Sequence, residues 1–281
     1  MELHNEHGID NFVFSTYWHN DGSYPLISAT QIQQGVSQAL DANFIASNVG
    51  YSYDHSGSGI YSRGKPLNTT FFMDDYYQPR LMMSQLPKSP ASSGKEWLHD
   101  SSIPTISFLR KQQAQQRSGS AKSNDRSDSF KMTVFNVKQN TSGTVHSTNG
   151  NLTCSLDYAL HSVGNQSYYA LIALNGYYFD PLLPAQLCSV AVCPEEKCEG
   201  EKLPLPDFEG SKFSSFSLSG SFSYSPVLPM ALTANGSVFD YTEAMNMSSS
   251  SREGYTEYKM SLRAGEIFDL TSTVLYATNM T

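Results

Sequence analysis

The chain has 281 residues, enough for one large or two ordinary domains with a sizeable core. Aromatic residues reach 12%, as suits a β-rich protein, while charged residues make up only 16%, so Ser, Thr, Asn or attached sugar must wet the surface. The net charge of −8 argues against nucleic acid and against simple electrostatic docking on anionic lipid, because both require basic patches.

The first seven residues, Met1 to His7, are polar and acidic, without the basic and apolar regions of a secretory leader. No later stretch approaches the roughly twenty apolar residues of a membrane span, and no hydrophobic anchor signal closes the chain. A secretory protein with this sequence is therefore expected to be a fragment, or a form that lacks its leader and anchor.

Asn11 to Trp18 reads as a strand, and Asp21-Gly22 marks a turn. A helix is predicted over 31–42, capped by Thr30 with Gln33 three residues on. Ile32, Val36, Ala39 and Leu40 line one of its faces, and Asp41 sits against the helix dipole. Residues 44–62 read as strand and Gly/Ser turn. The run from Phe71 to Tyr77 is aromatic around Asp74-Asp75.

Adjacent carboxylates among aromatics would suit an acid/base pair working against a stacked sugar. Neighbours on a strand point to opposite faces, however, which places Asp74 and Asp75 poorly as a pair, and a solvated turn is the plainer reading. Trp18-His19-Asn20-Asp21 offers a His–Asp dyad with no nucleophile elbow to serve. No metal-ligand set and no cofactor-binding motif is found.

Residues 111–129 contain two alanines as their only apolar side chains and cannot offset the entropy of ordering. The expected organisation is a smaller mixed α/β region over 1–108, a flexible linker or disordered loop over 109–129, and a glycoprotein domain over 130–281.

From there the apolar period is two. Leu152, Cys154, Leu156, Tyr158 and Leu160 alternate with polar neighbours, as do Phe216, Leu218, Phe222 and Tyr224. The pattern recurs in Tyr258, Met260 and Leu262, and in Phe268, Leu270, Val274 and Tyr276. Such sets lie on one side of a strand, and serines opposite them mean a solvated face. Asn175-Gly176, between Tyr168–Leu174 and Tyr177–Phe179, is a two-residue hairpin signal. About eight strands without intervening helices give the expected fold: mainly β, an antiparallel β-sandwich or jelly-roll-like C-terminal domain.

Cys154, Cys188, Cys193 and Cys198 allow three pairings. The favoured one closes a short loop between Cys193 and Cys198 and leaves Cys154, on the inward parity of its strand, for Cys188. The rival four-thiolate zinc site lacks the usual spacing, and Glu195, Glu196, Glu199 and Glu201 would oppose thiolate formation. Disulfides imply an oxidising compartment. Seven Asn-x-Ser/Thr triplets, at Asn68, Asn140, Asn151, Asn165, Asn235, Asn246 and Asn279, point the same way, as acceptors for N-glycosylation.

Tyr168, Tyr169, Tyr177 and Tyr178 around the expected hairpin are the candidate binding residues, since tyrosine gives a large amphipathic surface at little entropic cost. The leading functional reading is a non-enzymatic extracellular or lumenal glycoprotein whose sandwich binds a protein or glycan partner. The alternatives are a secreted carbohydrate-active hydrolase using Asp74 or Asp75, with the β domain as accessory module, and a cytosolic β-rich scaffold.

Overall fold

The structure, a computed structural model, describes residues 7–18, 20, 27–48, 55–71, 80–87, 130–178, 183–198, 209–234, 238–252 and 254–278. It is mainly β, as the alternating patterns require.

The N-terminal residues build a four-stranded sheet in the order β1-β2-β3-β4, from β1 (Asn11–Ser15), β2 (Asn43–Ser47), β3 (Ser58–Ser62) and β4 (Lys65–Thr70). β1 and β2 are parallel, and the chain passes between them through helix α1 (Ala29–Ala39). The two-residue turn between β3 and β4 places Arg63 at φ 51° and Gly64 at φ 84°, the left-handed pair that matches strand twist.

α1 begins two residues before the predicted start. Ser28 Oγ accepts from Gln31 N at 3.3 Å, and Gln31 Oε1 accepts from Ser28 N at 2.8 Å, so the capping box is Ser28–Gln31 and not Thr30–Gln33. Gln33 is engaged elsewhere, donating to the Gly57 carbonyl at 2.9 Å. Asp41 falls beyond the helix end, at φ 48°, so it does not oppose the dipole from within the last turn.

From residue 130 the chain forms a sandwich of two antiparallel sheets. Its strands are β5 (Phe130–Asn136), β6 (Ser142–Asn149), β7 (Leu152–Ser162), β8 (Tyr168–Tyr178), β9 (Leu183–Cys193), β10 (Lys212–Phe222) and β11 (Val227–Leu232). A single turn of helix, α2 (Tyr241–Ala244), leads into β12 (Met245–Arg252), β13 (Tyr255–Leu262), β14 (Phe268–Asp269) and β15 (Ser272–Thr278). One sheet runs β12-β13-β10-β7-β6, with β14 also on β10; the other runs β11-β15-β9-β8-β5.

Leu152, Cys154, Leu156 and Tyr158 of β7 and Phe216, Leu218 and Phe222 of β10 bury themselves against the second sheet. Between the sheets Phe213 meets Tyr169 and Phe216 edge-on, at ring separations of 5.7 and 5.5 Å. Ser217, Ser219 and Ser221 of β10 and Ser248 and Ser250 of β12, at the alternate positions, lie on the opposite, outer face, as the alternation demands.

Two expectations are corrected. Asn175-Gly176 makes no hairpin: β8 runs straight through it, with Asn175 opposite Gln186 and Gly176 opposite Ala185. The eleven-residue pairing with β9 outweighs the dipeptide's local turn preference. The apolar set Phe268, Leu270, Val274, Tyr276 is also not one face. Phe268 and Leu270 enter the core between the sheets, whereas Val274 and Tyr276 lie in a second apolar cluster.

That second cluster is where α1 docks. Ile32, Val36 and Ala39 pack on Leu187, Leu228, Met230, Val274 and Tyr276, covering the outer face of the β11-β15-β9 end of the sheet. β15 is therefore buried throughout. Gly35 makes the close approach possible, since a Cβ there would lie 3.1 Å from Leu228 Cβ and from Met230 Cγ.

Side-chain amides fix the position. Gln31 Nε2 donates to Ser272 Oγ at 3.0 Å, and Gln34 Nε2 donates to the carbonyls of Phe239 at 2.7 Å and Gly64 at 3.0 Å. Tyr61, fully buried, donates to the Thr30 carbonyl at 3.2 Å, and burial pushes its phenol far above the ordinary tyrosine value, so it remains a donor. The N-terminal unit is packed on the sandwich through a joint that is apolar on one side of α1 and hydrogen-bonded on the other.

Candidate functional surfaces

Cys154, on β7, is bonded to Cys188, on β9, with the Cα atoms 5.5 Å apart, so this disulfide ties the two sheets together through the core. Cys193, the last residue of β9, is bonded to Cys198 across Pro194-Glu195-Glu196-Lys197. No free cysteine is present.

The tyrosines expected to form a binding patch do not come together. Tyr168 and Tyr177 sit nine residues apart on one extended strand, roughly 30 Å at a strand's rise. Tyr169 is buried in the core, where its hydroxyl accepts from Ser211 N at 3.0 Å. Burial raises its pKa, and the Ser211 hydrogen bond opposes that only in part. Tyr177 is 51% exposed, while Tyr178 ends β8 with a side chain outside the described residues. The patch depended on a hairpin that is not there, and the core claims Tyr169.

Asp74 and Asp75 lie outside the described residues, as do Asn235 and Asn279. Of the other acceptor asparagines, Asn140, Asn151, Asn165 and Asn246 are exposed. Asn68 is half-buried in β4, and its amide donates to the Met83 carbonyl at 3.2 Å. Among the described residues no three His, Cys, Asp or Glu side chains gather as a metal site would need. No helix there is long and apolar enough to cross a membrane, a statement that does not bear on strands.

Three surfaces stand out. The first is apolar and belongs to the N-terminal sheet. β1 forms its edge, and Val13 is 81% and Phe14 51% exposed there, with Tyr17 just beyond. A hollow of about 390 Å³ lined by Phe14, Trp18, Ile32, Val36 and Phe44 opens beside it. Leu81 and Met83, 89% and 77% exposed, add apolar surface to the same N-terminal unit.

The second is polar and lies on the outer face of the β12-β13-β10-β7-β6 sheet. Strand register sets its residues in rows: Ser248, Lys259, Ser219, Ser155 and His146 across five strands, then Ser250, Glu257 and Ser221. A groove of about 410 Å³ runs over these rows from Ser248 as far as Ser155, and a second of about 320 Å³ shares Thr153 and Ser221 with it and reaches Asn151 and Tyr255.

The third is a charged latch between the two units. Lys65, opening β4, pairs with Glu243 of α2 and lies 4.0 Å from Asp240. The hydrogen bond to Lys65 holds the Glu243 carboxyl below the ordinary glutamate value, and the same bond raises the lysine. A lowered carboxyl contributes at neutral pH and loses its contribution as pH falls through the lowered value. The raised lysine loses its own as pH rises past the ordinary lysine range. Carboxyl titration by NMR is expected to show Glu243 titrating low, and to show it moving up in Lys65→Met. An unmoved titration in that variant would mean that the pair does not persist in solution.

The joint has a trace in the sequence, since Gln31, Gln33 and Gln34 are neutral amides on the side of α1 that folding buries. Nothing local marks Tyr255 or Gln186 as neighbours of Asn151, since only strand pairing assembles them.

Comparison with known proteins fits this architecture. Residues 120–281 match the family model described as the Vanin C-terminal domain. The chain is 28% identical over 172 residues to Vanin-like protein 1 of Drosophila melanogaster, covering 59% of this chain and 30% of that protein. It is 28% identical over 239 residues to the Pantetheinase of Homo sapiens, covering 80% of this chain and 42% of that protein. The Pantetheinase of Sus scrofa is 25% identical over 239 residues, with 81% and 42% covered. The chain thus spans less than half the length of these relatives. With its family match beginning ten residues before β5 and running to Thr281, across the whole sandwich, the chain belongs to the Vanin C-terminal domain family.

Proposed function

We propose that this chain is the accessory part of a pantetheinase-type protein of the secretory pathway: a disulfide-tied sandwich that carries, on α1, a sheet ready to join a catalytic unit. The protein partner is then that unit, and the hydrolytic residues lie in it. The observation that carries the reading is the edge strand β1. Solitary proteins blunt such edges with lysine, proline or a bulge. β1 reads Asn-Phe-Val-Phe-Ser, with none of these, and exposes two large apolar side chains.

The coverage of the relatives supports it, since the pantetheinases contain more than half their length beyond the matched region. The two disulfides suit an oxidising compartment. The parallel β1–β2 pair joined through α1 is also the kind of unit that extends by adding strands.

Coexpression with the part of human pantetheinase outside the matched region tests this. The expected result is a one-to-one complex that hydrolyses pantetheine, with no hydrolysis by this chain alone and loss of the complex when Val13→Lys and Phe14→Lys are combined. Pantetheine hydrolysis by the isolated chain, or a complex indifferent to the double substitution, would overturn the reading.

A further inference from the structure

The carboxamide oxygens of the exposed acceptors Asn165 and Asn246 accept from Glu209 N at 3.1 Å and Arg263 Nε at 3.2 Å, whereas Asn151 sits in a cluster of side-chain amides at the rim of a groove. It follows Gly150, at φ 61°, in the two-residue turn between β6 and β7, and its side chain reaches the gap between the two sheets. There Asn175 Nδ2 donates to Asn151 Oδ1 at 2.8 Å, and Gln186 Nε2 lies 3.4 Å from the same oxygen. Gln186 is buried and held in turn, accepting from Ser223 N at 2.6 Å and donating to Asn175 Oδ1 at 3.0 Å.

With its oxygen occupied from the sheet side, the Asn151 carboxamide turns its nitrogen the other way, where Nδ2 donates to Ser223 Oγ at 3.2 Å. That nitrogen is the atom an N-linked sugar would occupy, and Asn151 and Ser223 both line the smaller groove. Tyr255, half-buried, supplies an aromatic ring on the same wall. The groove then continues, through Thr153 and Ser221, onto the hydroxyl-bearing face with Glu257 and Lys259.

We infer that this face is the bed of the chain's own N-linked glycan, carried by Asn151, with its first sugars against Tyr255 and the rest lying over the Ser/Thr rows of β7, β10 and β12. The chemistry is matched. Saccharides present hydroxyls on their edges and C–H groups on their faces, and the groove offers serine, threonine, Glu257 and Lys259 together with Tyr255 and Tyr258. No large apolar side chain blocks the approach. The seat also explains how a chain with so few charges keeps a broad sheet face wetted.

The inference is independent of the docking of the N-terminal sheet, so either can fail alone. The test compares the protein secreted from a eukaryotic host with its Thr153→Val variant, which loses the acceptor triplet but leaves the Asn151 amide network untouched. Thr153→Ser keeps the triplet and serves as control. Peptide mass analysis reads occupancy of Asn151, and nitration by tetranitromethane reads the exposure of Tyr255, with Tyr177 as reference.

The expected result is an occupied Asn151 and a severalfold slower nitration of Tyr255 in the parent and in Thr153→Ser than in Thr153→Val. Enzymatic removal of the glycan from the folded parent gives the same comparison should the variant fold poorly. An unoccupied Asn151, or Tyr255 nitrated equally with and without sugar, would overturn the inference.

Discussion

Replacing Cys154 and Cys188 together by alanine is expected to destabilise the sandwich by about 4 kcal/mol, from the loop-closure entropy that a 34-residue separation removes from the unfolded chain. The same relation assigns only about 2 kcal/mol to Cys193–Cys198, whose separation is five. The first bond also crosses from one sheet to the other inside the core, so its loss leaves unfilled space there. Gly220, paired with Cys154 across the strands, shows how closely packed the region is, since a Cβ on it would stand 2.5 Å from Cys188 Sγ. Urea denaturation of the two double variants, followed by fluorescence, makes the comparison. Equal losses, or a larger one for Cys193 and Cys198, would show that the bond between the sheets is not the principal staple.

Phe213→Ala should be of similar consequence, at about 3–5 kcal/mol, the range for truncating a buried aromatic. Phe213 is fully buried and lies at the crossing point of the core. Its ring stands 6.3 Å from Tyr158, 5.7 Å from Tyr169 and 5.5 Å from Phe216, in edge-to-face contacts that add to simple burial. Phe216 passes the contact on to Phe268, and Phe268 to Phe239 beside α2. Truncation therefore loosens both sheets and the segment that meets Gln34. Domains of this kind hold only about 5–15 kcal/mol in total, so the variant should be close to unfolding at body temperature. Phe135→Ala, at the half-buried end of the cluster, is the graded control and should cost less. A loss below about 1 kcal/mol for Phe213→Ala in denaturant titration would mean that the core refills the space, against the packing described.

Both results bear on function through α1. The helix rests on the second sheet and presents the N-terminal sheet beyond it, so β1, the edge strand among the described residues, is positioned through α1 on the sandwich. On the proposed reading, loss of sandwich stability should reach catalysis through position rather than chemistry.

Much of the sandwich was legible in the residues because alternation is a local property: one solvated face and one dry face impose period two wherever a strand has them. Leu152 to Tyr158 and Phe216 to Phe222 show this directly. The cysteine reading was legible for a related reason. Inward parity put Cys154 in the core, and a short spacing suited Cys193 and Cys198 to each other. The N-cap of α1 is not decided locally, because Ser28 and Thr30 each stand three residues before a glutamine, and it is the tertiary contact of Gln33 with Gly57 that leaves the capping box to Ser28 and Gln31.

What the chain by itself determined is which residues alternate, which sulfurs are near in sequence and where sugar acceptors occur. Tertiary structure alone decided the rest. Register with β9 carried β8 through Asn175-Gly176 and put Asn175 beside Asn151; docking of α1 hid both faces of β15; the core took Tyr169 from the surface. The reason is one of range. Solvent contact acts on each residue along its own strand, whereas pairing register and the covering of a sheet's second face depend on partners as far apart as Gln31 and Ser272, which no local pattern records.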